Sequence, residues 1–83
     1  MSMNLVLVHF NGKTVDENFH WQTETEFTFK VLNTNTIDDI VDLFKEWFAR
    51  IVNFKNPEEV KEYHKNVNYI KCKLKEGYKF HMT

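Results

Sequence analysis

An α+β domain on an antiparallel sheet is the fold this sequence predicts, from three patterns. Segments near both ends alternate with the two-residue period of strands, residues 37–52 repeat with the period of a helix, and glycine stands only at 12 and 77, where strands would turn. The predicted order is a β-meander, a long helix, a short helix and a C-terminal β-hairpin, with a single layer of helix on sheet. All 83 residues form one domain, 1–83. A chain this short buries only about 60–65% of its unfolded surface, so its core has little to spare.

The first strand, Asn4 to Phe10, is apolar on both sides, as for a strand covered on both faces. Asn11-Gly12 follows and reads as a hairpin turn, because both residues tolerate positive φ. The second strand sets Val15, Phe19 and Trp21 against Asp16, Asn18 and His20. The third sets Phe27, Phe29 and Val31 against Thr28 and Lys30. A turn near Glu24 would place Trp21 beside Phe27 and Phe19 beside Phe29.

Thr36 starts the long helix, with Asp39 placed to complete a capping box. Ile37, Ile40, Val41, Phe44, Trp47, Phe48, Ile51 and Val52 form one apolar stripe, widened by Leu43 and Phe54. Ile40, Phe44, Phe48 and Ile51 are its expected core residues. Asp38, Asp39 and Asp42 complement the positive end of the helix dipole, which accounts for them without a cation site. Asn56-Pro57-Glu58-Glu59 opens the short helix, with Asn56 as cap and Glu59 closing a box. Its apolar edge is Val60, Tyr63, His64 and Val67, and it is expected to end before Asn68.

The last segment alternates Ile70, Cys72 and Leu74 with Tyr69, Lys71, Lys73 and Lys75. Past Gly77, Tyr78, Phe80 and Met82 alternate with Lys79 and His81. A three-residue loop, Lys75-Glu76-Gly77, would pair Leu74 with Tyr78, Cys72 with Phe80 and Ile70 with Met82, keeping apolar residues on one face. Gly77 would take the left-handed position.

Composition narrows the function classes. Two glycines cannot build a phosphate loop or a dinucleotide fingerprint. His9, His20, His64 and His81 lack zinc-site spacing, and Cys72 alone supplies neither a disulfide nor a structural zinc site. Cys72 falls in an apolar alternation and reads as core. No catalytic residue, metal or cofactor is therefore expected, nor is enzyme activity. Leu5–Val8 is too short and lacks the flanks for a leader, and no apolar run approaches a membrane span. A cytoplasmic protein away from the membrane is the expectation.

Net charge is −1, but residues 1–54 carry eight acids and four bases whereas 55–83 carry four acids and seven bases. Tyr69, Lys71, Lys73, Lys75, Lys79 and His81 would share the outer face of the terminal hairpin and form the candidate partner-binding set. Two readings of that face stand: lysines that protect an exposed edge, or a surface for an anionic partner. The partner favoured is another protein with an acidic patch. The alternative is single-stranded nucleic acid bound through the basic hairpin. The first strand, apolar on both faces, and the wide stripe of the long helix leave open a second copy of the chain as well.

Asp39-Ile40-Val41-Asp42-Leu43-Phe44-Lys45-Glu46-Trp47 and Pro57-Glu58-Glu59-Val60-Lys61-Glu62-Tyr63, with the size and layout of the chain, resemble small phage-encoded inhibitors of bacterial defence of the anti-CRISPR type. The resemblance covers under a third of the chain and transfers no functional residue. It implies a non-enzymatic protein that binds and inhibits a host defence protein.

Overall fold

A computed structural model describes residues 2–9 and 15–82. They form strands β1 (Ser2–His9) and β2 (Val15–Glu24), helices α1 (Thr25–Leu32), α2 (Ile37–Ala49) and α3 (Pro57–Lys75), and strand β3 (Tyr78–Met82). The fold is α+β, with an antiparallel sheet in the order β2-β1-β3. Asn11-Gly12 lies outside the described residues.

β1 is the central strand, which explains its unbroken apolar run: Leu5 and Leu7 are fully buried and Val6 nearly so. Leu5 and Leu7 point toward the helices, as do Trp21 opposite Leu5 and Phe80 opposite Leu7. Between Val6 and Leu7 the register with β2 jumps from His20 to Asp16, so residues 17–19 are extra on β2. This bulge reverses the facing of the strand. It turns Asp16, expected on the outer face with Asn18 and His20, inward to burial opposite Leu7.

The predicted third strand is a helix. β2 runs directly into α1, where Thr28 and Val31 are buried while Phe29 is 53% exposed. The Thr28 hydroxyl donates to the Glu24 carbonyl at 2.9 Å and meets the Thr23 hydroxyl at 2.6 Å, satisfying both buried threonines at the junction. Phe27 and Val31, four apart, face the core, and the β-forming composition yields to this packing. Phe27 packs on Phe44 and Trp47, not in a cross-strand pair with Trp21.

α2 begins where expected, at Thr36, but the Thr36 hydroxyl bonds the Asp39 carboxylate and caps no amide. Ile40, Val41, Phe44 and Phe48 are its buried residues. The helix stops at Ala49, and Arg50 and Ile51 bond back three residues, to Trp47 and Phe48, as the chain turns away. Ile51 is thereby 68% exposed and not in the core, and Phe54 is 57% exposed.

α3 starts as predicted: Pro57 occupies the first turn and the Asn56 side chain accepts from the Glu58 amide at 3.0 Å. Glu59 instead reaches the Asn53 amide, at 3.4 Å. The helix does not end before Asn68 but runs to Lys75, so residues 69–75 are helical and the terminal hairpin does not form. Val67, Ile70 and Leu74 are its buried residues. Gly77 has φ 100°, yet it terminates a helix: its amide bonds the Leu74 carbonyl at 3.2 Å. Tyr78, predicted opposite Leu74, lies opposite His9, and Phe80 and Met82 pair with Leu7 and Leu5 rather than with Cys72 and Ile70. Cys72 is exposed, not core.

Candidate functional site

Two features could act on another molecule: a groove beside β3 and a polar cluster beneath α3.

The groove, of about 480 Å³, lies where the end of α1, the start of α2, the end of α3 and β3 converge. That volume falls within the ~300–1,000 Å³ of typical ligand sites. Val31, Ile37, Ile40 and Leu74 supply aliphatic surface from the three helices, and Leu32 lines it while 37% exposed. Gly77 and the first three residues of β3, Tyr78, Lys79 and Phe80, form the opposite wall. β3 pairs with β1 alone among the described residues, so it is an edge of the sheet. The left-handed Gly77 creates this wall, since it ends α3 and lets the chain return as a strand.

The polar cluster depends on the β2 bulge. The Tyr69 hydroxyl donates to the Asp16 carboxylate, and the Lys73 ammonium lies 3.5 Å from the same carboxylate. Lys73 also sits 4.7 Å from the centre of the Tyr78 ring and 5.5 Å from that of Tyr69, and contacts Glu76 at 3.9 Å. Tyr78 in turn meets His9 edge-on at 5.1 Å. Burial, then the hydrogen bond to Asp16 and the nearby negative charge, push the Tyr69 phenol up to about 12. At neutral pH such a phenol is a donor and not a base. The arrangement fastens α3 to the sheet.

The six residues of the candidate partner-binding set do not share one face. Tyr69, Lys71, Lys73 and Lys75 are on α3, and Lys79 and His81 are on β3. Lys71 and Lys75, four apart, are exposed on one side of the helix, while Lys73 turns toward Asp16. Tyr69 belongs to the polar cluster. Lys79 alone of the six lines the groove. The aliphatic groove residues were visible as apolar positions, but their convergence depends on α1 and on the full length of α3, which strand-like alternation concealed.

No group of three histidine, cysteine or acidic side chains is placed to hold a metal among the described residues. None of their helices is long and apolar enough to cross a membrane. Comparison of the chain with family models, curated proteins and solved structures yields no match.

Proposed function

We propose that this chain is a non-enzymatic protein-interaction domain and that the groove beside β3 is its docking site. The observation that carries the reading is the juxtaposition of aliphatic side chains from three helices with an edge strand. Edge strands and helix-lined grooves are recurrent modes of segment recognition. Phe29, 53% exposed and three residues before the groove-lining Leu32 on α1, extends the apolar surface beyond the groove. The resemblance of the α2 and α3 sequences to phage-encoded inhibitors suggests a host defence protein as the partner class.

Single-stranded nucleic acid is the second reading. Its support was a continuous lysine face, and the placement of the lysines on two elements, with Lys73 engaged by Asp16, weakens that support. Capture from lysate by the full chain, with and without nuclease, separates the two. The expected result is a protein identified by mass spectrometry, retained after nuclease and lost with Leu32→Glu, a change at a partly exposed position. Capture abolished by nuclease would favour nucleic acid. Capture untouched by Leu32→Glu would move the docking site elsewhere.

A further inference from the structure

We infer that the groove receives an extended segment of another protein, added to the free edge of β3 as a fourth strand, with acidic residues opposite Lys79 and His81 and apolar residues between them. This deepens the docking reading above and rests on it. The edge strand offers the backbone, and the side chains specify the rest. Lys79 and His81 are exposed on the face of the sheet away from the helices, opposite Val8 and Val6 of β1. Neither makes an ion pair among the described residues. Carboxylates on an added strand would supply the opposite-charge cross-strand pairs that β1 does not.

The same charges argue against a second copy of the chain. Antiparallel pairing of β3 with itself about a twofold axis sets residues of equal parity opposite one another. The register centred on Lys79 would therefore face Lys79 with Lys79, and like charges directly opposite are destabilising. An acidic strand meets no such penalty. Its alternate side chains would point to the helix-covered side, as Phe80 does, and enter the space bounded by Leu32, Ile37, Ile40 and Leu74. The recognition pattern is thus acidic–apolar–acidic–apolar in an extended chain.

The test uses the full chain and two labelled octapeptides, one alternating glutamate with valine and one alternating lysine with valine. Fluorescence anisotropy should show binding of the glutamate peptide with a Kd below about 1 mM. The lysine peptide should bind at least about tenfold more weakly, and Lys79→Glu should reverse that order, since opposite-sign neighbours govern the pair. Hydrogen exchange should show new protection within Tyr78–Met82. Absence of binding by the glutamate peptide, equal binding of the two peptides, or protection that maps away from β3 would overturn the inference. A concentration-dependent dimer protected at β3 would overturn it in favour of the second copy. If lysate capture still depends on Leu32 while the peptides fail, only the strand-addition inference falls. If capture is also independent of Leu32, the docking reading falls with it.

Discussion

The helix-covered side of the sheet contains two regions held together by different physics. Under α2, Phe44 is fully buried and touches Trp21, Phe80 and Phe27 with ring centres 4.8, 4.8 and 5.0 Å away. Beneath the C-terminal half of α3, Asp16, Tyr69 and Lys73 satisfy one another. The aromatic region is non-directional: much area is removed from water, and several rings share each contact. The polar region is directional, with a few bonds and one carboxylate at the centre. In a small domain the first kind of packing holds the fold together. The second adds less energy and fixes where α3 lies on the sheet.

The largest expected effect tests the aromatic side. Phe44→Ala should destabilise the protein by about 3–5 kcal/mol, since it deletes a large ring from a closed site. Denaturant unfolding measures this directly. Against a total stability of about 5 kcal/mol, toward the low end for single domains, the variant would be largely unfolded. A loss under about 1 kcal/mol would mean that the ring is not buried, because fully burying a Phe side chain contributes about 1.5–3 kcal/mol.

The polar side should respond less, and with a different signature. Asp16→Ala should cost about 1–3 kcal/mol, as it leaves the Tyr69 hydroxyl and Lys73 without their shared acceptor. Replacing both Asp16 and Tyr69 by apolar residues, Asp16→Leu with Tyr69→Phe, should cost less than the sum of the two single changes. Additive losses would show that the two residues do not act together and would erase the distinction between the regions.

The two regions also differ in how far the sequence reveals them. α2 is legible because Ile37, Ile40, Val41, Phe44 and Phe48 mix odd and even positions and fit only a helical period over a segment with a clear start. β1 is legible from its continuous apolar run. The C-terminal half of α3 is ambiguous, since Ile70, Cys72 and Leu74 satisfy a period of two while Tyr63, Val67, Ile70 and Leu74 satisfy 3.6. The deciding signal was the absence of glycine or proline from 58 to 76, which lets a helix already begun at Pro57 continue. α1 spans only eight residues rich in threonine and phenylalanine, too few for periodicity to outweigh β propensity. Asp16 could not have been placed, because a bulge shifts facing without leaving a composition cue. The groove inherits both errors: its walls come from α1 and from the end of α3. Gly77 takes the positive φ expected from the sequence, but at a helix end rather than in a hairpin loop, because both demand that conformation.

The smallest expected effect is also the most diagnostic of the polar region. Tyr69→Phe removes one hydrogen bond and keeps the ring, so it should cost about 0.5–1.5 kcal/mol near neutral pH. Its pH dependence follows from the phenol being raised from 10.0 to about 12 by burial, the bond to Asp16 and adjacent negative charge. The folded state holds the proton more tightly than the unfolded state, so this contribution is complete below the unfolded value. It declines as pH rises from about 10, where the unfolded phenol ionises, and is lost on passing through about 12. The stability gap between the wild-type protein and Tyr69→Phe should therefore stay level on the acid side of that window and narrow across it. Phe44→Ala, which removes no titrating group, should show no such narrowing relative to wild type. Parallel alkaline titrations of tyrosinate absorbance in wild type and Tyr69→Phe identify the late-ionising phenol. If their difference shows a tyrosine that ionises at its ordinary value, Tyr69 is not held by Asp16, and α3 is fastened by its apolar residues alone.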